Sequence, residues 1–79
     1  MRDVTEAVQV KPMPRVIGKN VRDELWHLDE RIGYVEPQGW VIQHKNYVQR
    51  YVPQRSNVFE LRVYHYFDHE LQAQKANSP

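Results

Sequence analysis

The stretch from Arg31 to Val52, RIGYVEPQGWVIQHKNYVQRYV, restricts the fold more than any other part of the chain. Tyr34-Val35 and Trp40-Val41-Ile42 are two short runs of residues that favour strands, and Pro37-Gln38-Gly39 lies between them. Proline and glycine together favour a tight turn, and proline cannot donate a hydrogen bond within a sheet. The stretch therefore predicts a β-hairpin.

The segment after this hairpin changes to a wider apolar spacing. Asn46 is a favourable helix cap, and the apolar residues of YVQRYV recur at intervals of one and four residues until Pro53. This spacing predicts a short helix over residues 46 to 52. A second strand, reached through a turn at His44-Lys45-Asn46, is the alternative.

A longer helix is predicted before the hairpin. Asn20 can cap its start and Gly33 can end it. The apolar residues between them are spaced at i, i+4, i+7 and i+11, as on one face of a helix: Val21, Leu25, Leu28 and Ile32. We expect this helix to run from Asn20 to Gly33.

The first 19 residues are expected to form an N-terminal arm. Asp3 followed by Glu6 is a capping pattern, which predicts a short helix near Asp3 to Val8. The following KPMPRVIGKN holds two prolines and a glycine, so it predicts a loop or extended segment. Val16 and Ile17 are the side chains available to anchor that segment.

The C-terminal segment fits two interpretations. VFELRVYHYF alternates as a strand does, with one apolar face. A spacing of four residues also fits a helix that continues into DHELQAQKA, through Phe59, Val63, Phe67 and Leu71. We favour a helix over residues 57 to 74, because no neighbouring strand pattern is strong enough to pair with a long central strand. Residues 77 to 79 are expected to be a frayed tail.

The composition limits the class of protein. A chain of 79 residues is one small domain at most, and without cysteine it is held by neither disulfides nor thiolate-bound zinc. No apolar run approaches the roughly 18 residues that span a bilayer, and the N-terminus lacks the apolar core of a signal peptide. We therefore expect a cytoplasmic protein with no membrane partner.

Charge is unevenly distributed, although the net charge is only +1. Residues 20 to 38 carry five acidic and two basic side chains, whereas residues 39 to 55 carry Lys45, Arg50 and Arg55 and no acidic one. A surface that faces a polyanion should therefore combine the N-terminal arm with residues 39 to 55.

Residues suited to catalysis are few. The chain has two serines, no cysteine nucleophile and no glycine-rich phosphate loop, so we expect neither an enzyme nor a cofactor. His65 and His69 are spaced as metal ligands on a helix, but a third ligand is not evident and we expect no metal. The tyrosines and tryptophans could stack on single-stranded bases, but packing in a core or interface is the expected role in so small a domain.

The order of the expected elements suggests double-stranded DNA as the partner. A capped helix, a short hairpin and another helix is the order of a winged helix-turn-helix domain, in which the helix enters the major groove and the wing contacts the neighbouring groove or backbone. We therefore expect an α+β winged helix-turn-helix-like domain with an extra C-terminal helix. Basic residues outside the helix would contact phosphates: Arg15, Lys19, Lys45 and Arg50. The expected domain boundaries are an N-terminal arm at 1 to 19, a winged-helix core at 20 to 55 and a C-terminal helix and tail at 56 to 79.

Residues 16 to 52 resemble the MerR-like winged-helix fold of small temperate-phage excisionases and Cox-type regulators. The motifs that carry the resemblance are ERI at 30 to 32, EPQG at 36 to 39, WVI at 40 to 42 and NYVQRYV at 46 to 52. They occupy the places of the recognition-helix end, the wing, the return strand and the following helix.

This resemblance implies a non-catalytic DNA-binding protein of a phage or mobile element. It would act as an excisionase, which bends DNA beside an attachment site and biases an integrase toward excision, or as a transcriptional regulator. The resemblance places the recognition helix at Asn20 to Arg31 and the wing at Glu36 to Trp40. The candidate base contacts that follow from it are Asn20, Arg22, His27, Arg31 and, at the wing tip, Gln38.

A small protein-binding module is the alternative function. The acidic surface of residues 20 to 38, or the aromatic C-terminal segment, would then meet another protein. The C-terminal segment offers more apolar surface than so small a core needs, so residues 57 to 74 are also a candidate for homo-oligomer contacts. The expected interface residues are Phe59, Val63, Tyr66 and Phe67.

Overall fold

The computed structural model describes residues 1 to 76, with side chains through Gln74, so the predicted frayed tail at 77 to 79 lies outside the described residues. The chain divides into two units. We call Glu6–His44 the meander unit, and Met1–Thr5 together with the chain from Lys45 onward the arm unit. The strands are β1 Arg2–Asp3, β2 Gln9–Lys11, β3 Glu24–His27, β4 Glu30–Glu36, β5 Gly39–Ile42, β6 Tyr47–Arg55 and β7 Val58–His65, and the helix α1 is Asp68–Ala76.

The meander unit is a four-stranded antiparallel sheet in which strands adjacent in sequence are also adjacent in space, in the order β2-β3-β4-β5. Glu36 pairs with Gly39 across the turn at Pro37 and Gln38. The predicted hairpin is therefore confirmed. The preceding turn, between β3 and β4, places Leu28 in a left-handed conformation with φ of 54°.

A β-bulge shapes the middle of this sheet. Leu25 pairs with Gly33 while Trp26 pairs with Arg31, so Ile32 is an extra residue on β4. Leu25 and Ile32 are fully buried. Gly33 lies so close to β5 that a Cβ atom there would overlap the carbonyl oxygen of Val41.

The predicted winged-helix fold is wrong, because the expected recognition helix from Asn20 to Gly33 is replaced by β3, a turn and β4. The four apolar residues spaced as a helix face do not share a face. Leu25 and Ile32 are buried, whereas Leu28 is exposed on the turn. Pairing with neighbouring strands on both sides satisfies the backbone of β3 and β4, and this tertiary pairing overrides a helical spacing in sequence.

The arm unit is a three-stranded antiparallel sheet with the order β1-β7-β6. β6 and β7 form a long hairpin whose pairing runs from Tyr47 and His65 to Arg55 and Val58. Its turn contains Asn57 with φ of 61°, a conformation that asparagine tolerates better than most residues.

This hairpin corrects two further predictions. The segment 46 to 52, predicted as a helix, lies mostly in β6, and the segment 57 to 74, predicted as one helix, is β7 followed by α1. The strand alternative for residues 58 to 67 is confirmed as far as His65. The apolar spacing of both segments fits either a helix or a strand. Aromatic and β-branched residues dominate both segments, and their cross-strand contacts favour the strands.

The core of the arm unit contains Val63, which is fully buried, with Val4, Tyr47 and Tyr66 also buried. The buried Asn46 ties the start of β6 to the start of α1. Its side-chain amide donates to the Tyr66 carbonyl at 2.8 Å and to Asp68 Oδ1 at 2.8 Å, and its own carbonyl accepts from the Tyr66 amide at 2.7 Å.

The N-terminal segment contains a single 3-10 turn, Thr5–Ala7, instead of the predicted helix near Asp3 to Val8. Asp3 pairs in β1, and its carboxylate still accepts the amide of Thr5 at 3.0 Å and its hydroxyl at 2.6 Å. Asp3 therefore makes a local turn contact with Thr5 and does not cap a helix, because its strand pairing with Tyr64 leaves only a single 3-10 turn after it.

The proline-rich segment is a loop, as predicted, between β2 and β3. Its apolar residues do not anchor it, however. Ile17 is fully exposed and Val16 is half exposed. Among the described residues, no helix is long and apolar enough to cross a membrane.

Candidate binding surfaces

The nine residues expected to contact DNA are spread over both units instead of lining one helix. All nine lie outside α1, in loops, at turns or on strands, and His27 is buried on β3. Those in the meander unit are Arg15, Lys19, Asn20 and Arg22 in the β2–β3 loop, His27 on β3, Arg31 on β4 and Gln38 in the β4–β5 turn. Those in the arm unit are Lys45, before β6, and Arg50 on β6.

The arginines among these residues are already engaged by the chain itself. Arg15 is paired with Asp23 at 2.9 Å, Arg22 with Glu36 at 2.8 Å and Arg31 with Glu24 at 3.0 Å. Arg50 donates to the Tyr66 hydroxyl at 2.9 Å. A phosphate would have to compete with these carboxylates, which weakens the case for a nucleic-acid surface.

One face of the meander sheet carries a polar depression of about 360 Å³. Its lining residues are Asn20, Arg22, Glu24, Arg31, Tyr34 and Gln43. Within it, Glu24 accepts from the Arg31 guanidinium and, at 3.1 Å, from the Trp26 indole N–H. The depression is therefore a network of paired charges and hydrogen bonds.

The aromatic rings near this depression are covered by cations of the same unit. Lys11 Nζ lies 4.0 Å from the ring centre of Trp26, and the Arg22 guanidinium lies 5.0 Å from that of Tyr34. These are cation–π contacts, each worth about 0.5–1 kcal/mol at an exposed site. A base could stack on either ring only by displacing the cation, so the face is poorly prepared for single-stranded nucleic acid.

The two histidines spaced as metal ligands do not form a site. His65 lies on β7 and His69 on α1, and Phe67 lies between their rings at centroid distances of 5.0 and 5.7 Å. Among the described residues, no group of three His, Asp or Glu side chains is placed to hold a metal ion.

Charge pairs in the arm unit fasten its N-terminal strand. The Arg62 guanidinium donates to Asp3 at 2.8 Å, and together with the hydrogen bonds from Thr5 it lowers the pKa of Asp3 from 3.8 to about 2. The N-terminal amine bonds Glu70 and, with the Phe67 amide, lowers the pKa of that carboxyl. These contacts are structural, because each links β1 or the N-terminus to β7 or α1.

The β6–β7 hairpin extends beyond the strand that supports it. β1 pairs only with Tyr64 and His65, so residues 50 to 62, which we call the arm, form a ribbon of two strands. Tyr51 pairs with Leu61, and Pro53 with Phe59. Cross-strand partners project to the same side of a sheet, so these four side chains form one continuous surface, the arm's apolar face.

The arm's apolar face lies on the same side of the hairpin as two core residues, but further from the base and exposed to solvent. Val63 and Tyr47 lie on the same side of the hairpin nearer its base, and both are buried. Further along, Tyr51 is 66% exposed and Phe59 is 59% exposed. Large aromatic side chains that are more than half exposed on a paired two-stranded ribbon are typical of a protein-binding surface.

The charges of the arm lie on its opposite side. Arg50 pairs across the strands with Arg62, and Arg62 also bonds Glu60 at 3.0 Å. Since like charges in register repel, each arginine depends on its own acceptor, which is Tyr66 for Arg50 and Asp3 with Glu60 for Arg62. The arm's apolar face itself contains no ionisable carboxylate, lysine or arginine.

The predicted interface residues divide between core and surface. Val63 and Tyr66 are buried in the arm unit, whereas Phe59 and Phe67 are exposed. Tyr51, Pro53 and Leu61 were not among the interface residues expected from the sequence. The strand alternative for residues 58 to 67 put Phe59 and Leu61 on one face, and combining it with a strand at 47 to 55 would have added Tyr51 and Pro53.

Comparison of the chain with known protein families, curated proteins and solved structures gave no match.

Proposed function

We propose that the protein is a non-catalytic protein-binding module that docks through the arm's apolar face. The observation that supports this most strongly is the exposure of Tyr51 and Phe59 on a ribbon whose base is fixed in the core. Burying one such side chain contributes about 1.5–3 kcal/mol. Because strand pairing already fixes the backbone that carries the two rings, binding has to order only their side chains.

Docking on the face is favoured over addition of a strand to the edge of β6. Pro53 lies in this edge strand, and the pairing shifts between Pro53 and Arg55, which inserts a bulge at Gln54. Proline and bulges are features that protect an exposed edge from pairing with another strand. The partner is therefore expected to present an apolar surface, not an extended strand.

A second copy of the chain is the candidate partner that one further observation favours. An isologous dimer brings the same patch of two subunits together, so the patch must be compatible with itself. The arm's apolar face carries no like charges that would repel each other. Homo-oligomer formation through this part of the chain was also expected from the sequence.

The excisionase function has weaker support. The resemblance to excisionases required a recognition helix at residues 20 to 31, and the described residues contain strands there. A cytoplasmic location remains part of the proposal, because a chain without cysteine needs no oxidising compartment.

A photo-crosslinking amino acid at position 59 tests the proposal. We expect illumination to join this variant covalently to another copy of the chain in purified solution, or to a different protein in the source cells. The matched control carries the same group at Val52, which is on the same ribbon but on its opposite side. Equal crosslinking at both positions, or none at position 59, would refute docking through the apolar face.

Light scattering after gel filtration separates self-association from binding to a different protein. If the second copy is the partner, the apparent mass should approach that of a dimer as concentration rises, and Phe59→Ser should return it to the monomer. Val52→Ser serves as the control and should leave the mass unchanged. A monomer at all concentrations would refute the homodimer. Crosslinking at position 59 would then test whether the apolar face binds a different protein.

A further inference from the structure

The loop between β2 and β3 presents apolar side chains to solvent on a defined turn. The Lys19 amide donates to the Val16 carbonyl at 3.1 Å, and Gly18 has φ of 81°. This is the conformation that glycine allows at the third position of a β-turn. Ile17 occupies the second position, and its side chain is fully exposed.

The base of this loop is closed by its own side chains. Asp23 Oδ1 accepts from the Met13 amide at 3.2 Å and from the Arg15 guanidinium at 2.9 Å. Arg15 also donates to the Val21 carbonyl at 2.6 Å. These hydrogen bonds join the two ends of the loop, so the turn at Val16 to Lys19 lies on an ordered segment.

Among the residues that flank the turn in sequence, the charged ones are basic. Residues 7 to 22 contain four basic side chains and no acidic one, and the basic residues are Lys11, Arg15, Lys19 and Arg22. Arg15 and Arg22 have carboxylate partners, Asp23 and Glu36. Lys19 is the last residue of the turn, and it is exposed.

We propose that this loop is a contact site for an anionic lipid surface. Val16 and Ile17 enter the headgroup region, while Lys19 contacts lipid phosphates. This combination of apolar and basic groups is the one that holds peripheral proteins at membranes. The contact is with the surface only, so it requires no membrane-spanning segment.

The shape and composition of the turn favour lipid over a protein partner. A protein that bound this projecting turn would need a matching pocket and hydrogen-bond groups. The polar groups nearest the tip are already used within the loop, by the Val16–Lys19 and Arg15–Val21 hydrogen bonds. A fluid bilayer accepts a projecting side chain without a preformed pocket, and lysine is common beside anionic lipid but depleted in protein interfaces.

Sedimentation with lipid vesicles tests this inference on the full chain. The wild type should sediment with vesicles of phosphatidylcholine and phosphatidylglycerol in equal parts, and far less with phosphatidylcholine alone. Ile17→Asp should lower the partition coefficient about tenfold or more, since burying one aliphatic side chain contributes at least that factor. Lys19→Glu should also weaken binding, and added salt should weaken the wild type.

Leu28→Asp is the matched control. Leu28 is also an exposed aliphatic residue on a turn of the same unit, but Asp29 and Glu30 follow it. This variant should bind the anionic vesicles as the wild type does. Because Ile17 and Leu28 are both exposed, neither change should alter the tryptophan emission or circular dichroism of the free protein.

Three results would overturn the inference. They are no sedimentation of the wild type with anionic vesicles, equally strong sedimentation with phosphatidylcholine alone, and an equal loss of binding in Leu28→Asp. A photo-crosslink from position 17 to a protein, without vesicle binding, would assign the loop to a protein partner instead.

Discussion

Replacing Gly33 with alanine should destabilise the meander unit far more than most glycine substitutions do. The new Cβ would overlap the Val41 carbonyl oxygen and lie 3.0 Å from its carbonyl carbon and 3.1 Å from the Ile42 Cα. These are backbone atoms of a paired strand, so they cannot rotate away as a side chain would. β4 and β5 would have to separate around the pairs Gly33–Ile42 and Tyr34–Val41.

The size of the effect follows from the two costs of that separation. Overpacking of this kind costs about 1–3 kcal/mol, and each weakened strand hydrogen bond about 0.5–1.5 kcal/mol more. We therefore expect a loss of about 3 kcal/mol. For 79 residues, a typical stability is about 4–12 kcal/mol, so the variant should lose a large part of it and melt more than about 10 °C lower.

Tryptophan fluorescence during urea unfolding is a suitable assay, because Trp26 and Trp40, the two tryptophans of the chain, both lie in the meander unit. Gly18→Ala is the control. Nothing lies within 4 Å of a Cβ at Gly18, but its φ is positive, so only the conformational cost of about 1 kcal/mol applies.

A small effect of Gly33→Ala would refute the register between β4 and β5. If Gly33 instead ended a helix, as the sequence pattern suggested, alanine there would cost only about 1 kcal/mol. Equal midpoints for the Gly33 and Gly18 variants would therefore support the helix and contradict the sheet.

Two further predictions concern the arm unit. Asn46→Ala should lower the free energy of unfolding by about 1–3 kcal/mol, because it removes two side-chain hydrogen bonds and leaves the Tyr66 carbonyl without that donor. Amide hydrogen exchange should become faster in the first turn of α1. Asn20→Ala, at an exposed position, is the control and should change the stability little. The pKa of Asp3 is about 2 in the folded chain against 3.8 for an isolated aspartate, so its carboxylate favours folding above about pH 4, and this contribution is lost as the pH falls toward about 2. Urea midpoints measured across that range should fall less steeply in Asp3→Asn, and an unchanged slope would contradict the Asp3–Arg62 bond as the cause.

Local patterns in the sequence predicted some parts of the fold. Pro37 and Gly39 placed a turn correctly, and the two prolines and Gly18 placed a loop correctly, because in both cases the restriction acts within a few residues. In each case the interacting groups are neighbours in sequence.

The remaining elements depended on pairing between distant residues. Val21, Leu25, Leu28 and Ile32 follow a helical spacing, yet β3 and β4 gain their hydrogen bonds from neighbours on both sides. The proposed binding surface was obscured for the same reason. Val63 and Phe59 lie on the same side of β7, and the sequence does not reveal that the core covers this side only near the base of the hairpin. Arg31 and Arg22 were expected to meet phosphate because their partners, Glu24 and Glu36, are identified only by the folded sheet.

The arm unit is assembled from two separate stretches of chain, and this has a consequence for biosynthesis. Every strand of the meander unit is available once His44 has left the ribosome, and its pairings join strands adjacent in sequence. β1 must wait for β7, since Arg2 pairs with His65. A nascent chain should therefore hold a folded meander between an unpaired N-terminal strand and an unfinished hairpin, with Val4 exposed until the last strand is made.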